Sequence, residues 1–168
     1  MIVRPRTPED LDACISVADV VHERDGYPPY LPEGDFTRFL VSDDALKAWV
    51  AIADAEIVGH VSLHHHSTPA VMTLATNALG CDEAELAVVA RLLVAPERRR
   101  QGVATRLLDA AVSHARASDR VPILDVWTGL PDAIAMYDGL RWRRLGRVAF
   151  TPPEQDPMHE IVFVAPGS

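Results

Sequence analysis

Apolar residues recur at the three- and four-residue spacing of an amphipathic helix in two parts of the chain. One part covers about 9–23. Thr7-Pro8-Glu9-Asp10 in front of it has the composition of a helix start, with a capping threonine, a proline at the first helical position and acids in the first turn. The other part begins at about 103, directly after Gly102. Shorter helices are predicted at about 35–41, within 70–79, and from Pro131 through Leu140.

Apolar runs of strand length alternate with these helices. The run at 86–94 is apolar almost throughout, which is typical of a central strand buried on both faces. Two further runs flank Asp54-Ala55-Glu56 and predict a hairpin. The predicted strands are 48–53, 57–63, 86–94, 122–128, 143–150 and 160–165. We therefore expect an α/β fold: one single domain over residues 1–168, with a mixed sheet of about seven strands flanked by helices. Residues 64–85 are expected to be an insertion.

Composition excludes several classes of protein. The chain has 168 residues and a net charge of −8, which argues against nucleic acid as a partner because duplex affinity rests on neutralised phosphates. No apolar run approaches the roughly 18 residues of a membrane span, and residues 1–5 lack the apolar stretch of a signal peptide. We expect a cytoplasmic protein with no membrane partner. Cys14 and Cys81 are too few for a disulfide framework and are expected to be reduced, Cys14 within the core.

The charge is unevenly distributed along the chain. The first 90 residues hold 5 basic and 15 acidic side chains, whereas Arg98, Arg99, Arg100 and Arg106 form a basic cluster without an acid among them. A helix that opens at about 103 leaves backbone N–H groups unpaired, and Gly102 lets them approach an anion closely. The turn therefore predicts a phosphate site, although it has neither the Walker A pattern nor the dinucleotide fingerprint. A solvated basic turn with an incidental glycine is the alternative.

Four blocks, taken in order, resemble the motifs of one family. Arg99, Gly102 and Ala104 match its pattern of Gln or Arg, two residues, Gly, one residue, then Gly or Ala. A later block has Ala133-Ile134 with Tyr137 three residues on, followed by the aromatic Trp142. The other two blocks are 3–10 and 57–59. In these features the chain resembles the GNAT N-acetyltransferase superfamily, in particular its small single-domain bacterial members.

The resemblance implies an acetyl-CoA site at a splay between two central parallel strands, those ending near Val94 and Trp127. Backbone groups of Leu92, Leu93 and Val94 would pair with the pantetheine arm. The pyrophosphate would lie on the turn that includes Arg99, held by N–H groups of Arg100, Gln101, Gly102, Val103, Ala104 and Thr105. The resemblance also implies that the Tyr137 hydroxyl protonates the departing thiolate. A core aromatic on a short helix is the other interpretation of Tyr137.

The chain departs from the family pattern at three positions. Leu130 stands where an Asn often begins the later motif, and Arg141 stands where a Gly usually precedes the terminal aromatic. Val88 replaces the Glu that many members place in the central strand, which removes the usual general base. We take Glu85 as the candidate base.

Other routes for the amine's proton stay open. Glu83 is a second acid before the same strand. His60 and His64 alternate with Ser62 and so face one way, and an imidazole can accept a proton from an amine. Histidines at a strand end are more often simply solvated, and a water relay without a dedicated base is a further alternative.

These features predict an acetyl-CoA-dependent N-acetyltransferase in which a primary amine attacks the thioester directly. Catalysis would rest mainly on positioning, and no metal is expected. The acceptor is not identified by the sequence, but the acidic first half favours a cationic amine; the acids concerned are Glu23, Asp25, Glu33, Asp35, Asp43 and Asp44. A degenerate acyl-CoA-binding or sensing domain is the alternative function. The pattern leaves open whether the chain forms a homodimer.

Overall fold

The structure is a computed structural model that describes residues 1–31, 34–152 and 155–168. Its strands are β1 (Ile2–Pro5), β2 (Ala45–Ala53), β3 (Glu56–His64), β4 (Leu86–Val94), β5 (Val121–Trp127), β6 (Arg143–Phe150) and β7 (Met158–Val164). Its helices are α1 (Leu11–Asp25), α2 (Phe36–Leu40), α3 (Pro69–Leu79), α4 (Val103–Ala117) and α5 (Pro131–Gly139). The seven strands form one mixed sheet in the order β1-β2-β3-β4-β5-β7-β6, which confirms the predicted fold class.

The predicted elements agree closely with those observed. Helix α1 begins two residues later than expected because Pro8–Asp10 forms one turn of 3-10 helix. The Asp10 carboxylate fixes this turn: it accepts from the Thr7 backbone N–H at 2.7 Å and pairs with the Arg4 guanidinium at 2.6 Å. The proposed insertion contains α3. Strand β1 is the strand that apolar patterning did not delimit.

The chain packs as two compact units, and β4 contributes residues to each of them. The first unit is Met1–His64 with Val89–His114, and the second is His65–Val88 with Ala115–Ser168.

In the first unit, β1, β2 and β3 are antiparallel neighbours. The predicted hairpin is confirmed, and its turn residues Asp54 and Ala55 have φ of 52° and 65°, as a tight two-residue turn requires. Helix α4 packs on one face of the strands, because a Cβ built on Gly59 would lie 3.0 Å from Leu107 and 3.1 Å from Val103. On the other face, α1 covers β3 with its buried side, which includes Cys14 as predicted.

In the second unit, β4 pairs in parallel with β5 over residues 86–88, and β5, β7 and β6 continue antiparallel. Helix α3 covers one face of these strands. The core there consists of Val71, Met72, Ala75, Leu86, Val88, Ile123, Val162 and Val164. Val88 is 2% exposed within this cluster, so its position serves packing.

Within the described residues, no helix has both the length and the apolar character needed to cross a bilayer. The same residues include no group of three or more His, Cys, Asp or Glu side chains arranged to hold a metal ion. Both cysteines are free thiols, and burial raises the pKa of Cys14 to about 11.

Candidate functional site

The turn before α4 has the backbone expected of an anion site. Helix α4 starts at Val103 as predicted, and the Arg106 N–H donates to the Gly102 carbonyl at 3.2 Å. The N–H groups ahead of that bond are the donors that any helix start leaves unpaired. Gly102 has φ of 79° and Arg100 has φ of 59°, and a Cβ on Gly102 would meet no atom within 4 Å. The turn therefore presents N–H groups beside open space, on a backbone that favours glycine.

The side chains of two arginines in this turn are engaged by the protein itself. Arg99 donates from Nε to the Val94 carbonyl at 3.3 Å and forms an ion pair with Asp25. Arg98 pairs with Asp54 at 2.8 Å. These acids offset part of the positive field that the sequence predicted. Arg99 fastens the turn to the end of β4, and this fixes the direction of its N–H groups.

Strand β4 carries an irregularity just before the predicted pantetheine segment. Arg91 has φ of 55°, which is unusual for a residue other than glycine within a strand. Leu93 is fully buried, whereas Leu92 and Val94 are partly exposed. Beyond the strand, the Ala95 N–H donates to the Val58 carbonyl of β3 at 2.9 Å. This segment of β4 is thus held by β3 in the first unit.

Tyr137 lies on α5 in the second unit with its side chain 6% exposed. Its ring packs edge-on against Trp142, with ring centroids 5.8 Å apart, and at a tilt against Phe163 of β7, with centroids 5.7 Å apart. Arg141 takes a left-handed φ of 63° after the helix, a backbone conformation that favours glycine. These contacts fix the position of the Tyr137 ring.

The alternating polar residues of β3 are buried, so the expectation that they are solvated is wrong for His60 and His64. His60 Nδ1 lies 3.0 Å from the Arg91 carbonyl oxygen, and its Nε2 lies 3.2 Å from Arg6 Nη1. Burial, opposed in part by the bond to the Arg91 carbonyl, lowers the pKa of His60 to about 4. His60 is therefore neutral near pH 7. Ser62 Oγ lies 2.8 Å from His64 Nε2.

The Arg91 side chain extends from β4 toward α2. Its guanidinium lies over the Phe39 ring, 5.3 Å from the centroid. Nη1 is buried and has no hydrogen-bond partner among the described residues. Burial lowers the pKa of Arg91 from its usual value, and the charge of Arg6 adds to the effect. Sequence patterning did not single out this residue.

Comparison with known families identifies the chain. The profile described as "Acetyltransferase (GNAT) family" matches residues 16–140. The chain belongs to the GNAT acetyltransferase family. A comparison with the curated proteins finds no match. This GNAT protein is therefore an acyltransferase by family, and its acceptor is not indicated by any curated relative.

Solved structures share the fold of this acetyltransferase at low sequence identity. A probable acetyltransferase from Staphylococcus epidermidis has a TM-score of 0.74 at 13% identity, with 99% of each chain covered. The ribosomal-protein-S18-alanine N-acetyltransferase from Escherichia coli has a TM-score of 0.67 at 14% identity, covering 98% of this chain and 92% of that one. Arabidopsis thaliana NAA60, solved in complex with acetyl-CoA, has a TM-score of 0.69 at 21% identity over 97% of this chain and 96% of its own.

In this GNAT protein Glu85, the predicted base, takes part in local structure. It ends a 3-10 turn, Glu83–Glu85, and its Oε2 accepts the Asp82 backbone N–H at 2.8 Å. Its side chain is exposed. Glu85 lies at the amino end of β4, whereas Leu92, Leu93 and Val94 lie at the carboxyl end.

Two carboxyl groups that the sequence analysis missed lie close together in the second unit. The antiparallel register pairs Asp125 with Val162 and Trp127 with Glu160, so Asp125 and Glu160 are diagonal neighbours on one face. Ser67 donates to Asp125 Oδ1 at 2.7 Å, while Glu160 Oε2 is buried without a partner among the described residues. A polar residue interrupting an apolar strand was the available sequence signal.

The environment of Glu160 suits it to proton transfer. Burial, with a smaller contribution from the Asp125 charge, raises the pKa of Glu160 to about 7. Burial also raises the pKa of Asp125, opposed by the Ser67 hydroxyl. A carboxyl group with a pKa near the working pH can both accept and release a proton.

Proposed function

We propose that residues 1–168 form a single acetyl-CoA-dependent N-acetyltransferase domain that transfers acetyl to a primary amine by direct attack. The observation that carries this proposal is the turn at 98–105. Its left-handed Gly102 and its unpaired N–H groups precede α4 in a chain of the GNAT family. Such a turn suits a pyrophosphate because N–H dipoles and the helix terminus both favour negative charge.

Acetyl-CoA would be held along the first unit. N–H groups of residues 100–105 would bind the pyrophosphate, with Arg99 fixing the turn through Asp25 and the Val94 carbonyl. Polar backbone groups of Leu92, Leu93 and Val94 would pair with the amides of the pantetheine arm, in the way that a peptide extends a sheet.

The reaction requires two proton movements. The unprotonated amine attacks the thioester carbonyl, a C–N bond forms, and the C–S bond breaks to release the CoA thiolate. Tyr137 gives its phenolic proton to the sulfur. A phenol suits this step because it is uncharged near neutral pH and keeps its proton until a base such as thiolate develops. The attacking nitrogen loses one proton to a base.

Besides Glu83 and His64, which the sequence leaves open, three routes for the amine's proton follow from the chain. Glu85 is the base predicted from the sequence. Glu160 is a second candidate, supported by a pKa of about 7 and a buried oxygen without a partner. Water relay without a dedicated carboxylate is the third route, and it is consistent with Val88 in the position where the family resemblance implies a glutamate.

The deciding experiment measures thiol release from acetyl-CoA against a panel of primary amines, together with thermal unfolding with and without acetyl-CoA. An N-acetyltransferase gives amine-dependent thiol release. A degenerate acyl-CoA-binding domain gives stabilisation by acetyl-CoA without release. The absence of both stabilisation and thiol release would contradict both functions.

A further inference from the structure

Arg91 places a positive charge in a partly buried position that the described residues leave incompletely paired. Its Nη1 is inaccessible to solvent and has no hydrogen-bond partner among the described residues. A buried cationic donor without a partner is costly, and an anion supplied from outside would offset that cost. The lowered pKa of Arg91 has the same origin, the loss of water around the guanidinium.

The groups that face Arg91 come from several elements of the first unit. Phe39 of α2 forms a flat apolar wall against the guanidinium. The charge of Arg6 lowers the pKa of Arg91, whereas Tyr27 and Asp44 raise it. Arg6 is engaged with the Leu40 carbonyl at 2.8 Å and with His60. Of the two arginines, Arg91 is thus the one with a buried nitrogen that has no hydrogen-bond partner among the described residues.

The backbone at Arg91 is strained. A φ of 55° is sparsely populated by side-chain-bearing residues, and such conformations concentrate at functional sites. The His60 ring holds this conformation through its bond to the Arg91 carbonyl. This hydrogen bond stabilises the strained backbone of Arg91.

The cluster lies on the opposite side of β3 from α4. Gly59 faces Val103 and Leu107 of α4, and successive residues of a strand face opposite ways. His60 accordingly faces Arg6, which also bonds the end of α2. The turn proposed for pyrophosphate leads directly into α4.

We propose that Arg91 binds a carboxylate of the acceptor, so that the substrate is an amine of the amino-acid class rather than a simple cationic amine. This inference rests on the proposed function. A guanidinium that lies over an aromatic ring and has one nitrogen without a partner among the described residues suits a planar, singly charged group such as a carboxylate. An amine tethered to that carboxylate is held on the face of β4 opposite α4.

Several of the acidic residues from which the sequence favoured a cationic acceptor interact with other groups of the protein. Asp25 pairs with Arg99. Asp35 caps α2 by accepting from the Thr37 and Arg38 N–H groups. Asp44 lies 3.8 Å from His64. Glu33 lies outside the described residues. The acidic surplus of the first half is therefore used in part within the protein.

The test compares matched acceptors. Each of a set of L-amino acids is assayed beside its own amide, which keeps the amine and the side chain but lacks the negative charge. Thiol release from acetyl-CoA is followed at a pH where both amines are mostly unprotonated. For the preferred side chain we expect kcat/KM to be at least about tenfold higher for the acid, the scale of a hydrogen-bonded charge pair.

Variants assign that preference to one residue. Arg91→Gln should lower kcat/KM for the acid by about tenfold or more and leave the amide within about threefold, because the amide never used the charge. Arg91→Lys should retain part of the preference. Arg24→Gln, which removes an exposed arginine of α1, is the matched control and should keep it all. Thermal unfolding checks that each variant is folded.

Each outcome decides the proposal. Equal use of acids and amides would overturn it while leaving the acetyltransferase function intact. An equal loss for both acceptors in Arg91→Gln would also overturn it and make Arg91 a positioning residue. If acetyl-CoA stabilises the protein but no amine supports thiol release, the proposed transferase function is overturned and this inference with it.

Discussion

His60 Nδ1 lies 3.0 Å from the Arg91 carbonyl oxygen. A carbonyl only accepts hydrogen bonds, so Nδ1 carries the proton. Nε2, which lies 3.2 Å from Arg6 Nη1, is then the acceptor. Both ring nitrogens are used in holding β3 to β4 and to Arg6, the residue that follows β1. A histidine in this arrangement positions its neighbours and has no lone pair left for an incoming amine.

The first prediction concerns acid stability. The pKa of His60 is lowered from 6.5 to about 4 on folding, so the unfolded chain binds more protons between these values. Stability therefore rises with pH through that window and is lost as pH falls, by up to about 3 kcal/mol. His60→Gln should remove this pH-dependent part, as measured by unfolding midpoints between pH 4 and 8. His66→Gln, at an exposed site, should keep the wild-type profile. An unchanged pH dependence in His60→Gln would contradict the assignment.

The second prediction concerns the turn before α4. Acetyl-CoA at about 100 times its Kd should add about 2.7 kcal/mol to the stability, or about 5 to 10 °C in Tm. Gly102→Asp should abolish the shift, because a negative charge then occupies the position of the phosphate. Gly102→Ala adds a Cβ that meets open space and adds no charge, so it separates the effect of backbone strain from the effect of the negative charge.

Gly80→Asp is the matched control for the turn. Gly80 also has a left-handed φ, 67°, and an open Cβ position, but it caps α3. It should lose similar intrinsic stability and retain the acetyl-CoA shift. A full shift in Gly102→Asp would show that the phosphate binds elsewhere.

The third prediction concerns Tyr137. Tyr137→Phe keeps the ring that packs on Trp142 and Phe163 and removes one proton donor. We expect acetyl-CoA affinity to change little and kcat to fall by about 10²- to 10⁴-fold, measured by thiol release. Tyr30→Phe, in the loop after α1, removes a phenol elsewhere and should be silent. A loss of less than about threefold would make Tyr137 structural.

The fourth prediction concerns the stability contribution of Glu160. Its pKa rises from 4.5 to about 7 on folding, so the folded chain binds more protons between those values and stability falls as pH rises through them. Glu160→Gln removes this loss. Allowing for partial solvent screening, the variant should be more stable than wild type by about 1 kcal/mol at pH 8, or a few degrees in Tm. At pH 5 the two proteins should differ little. A lower Tm for Glu160→Gln at pH 8 would refute the pKa assignment.

The fifth prediction separates the proton routes. If Glu160 is the base, kcat/KM should decline below about pH 7 and Glu160→Gln should remove both the decline and most of the rate. If Glu85 is the base, Glu85→Gln should do so instead. If water relays the proton, both variants stay within about tenfold of wild type, and the profile follows the deprotonation of the acceptor amine.

Several elements were predictable because their signals are local. The apolar run identifies β4 within a residue, and the period of the apolar positions after Gly102 identifies the start of α4, since side-chain periodicity depends on neighbours in sequence. The Asp54-Ala55 turn was predicted for the same reason. The phosphate turn was found because its glycine and the helix start are adjacent in sequence.

The sequence by itself determined the order of strands and helices, the turn before α4 and the family, all of which rest on local spacing. Only the tertiary structure decided the states of the ionisable groups. His60, Arg91 and Glu160 each owe their pKa to burial and to partners far away in sequence, such as Arg6 for His60 and Asp125 for Glu160. Burial and the distance between charges are set by how strands pair and helices pack, and those quantities fix the cost of removing a charge from water.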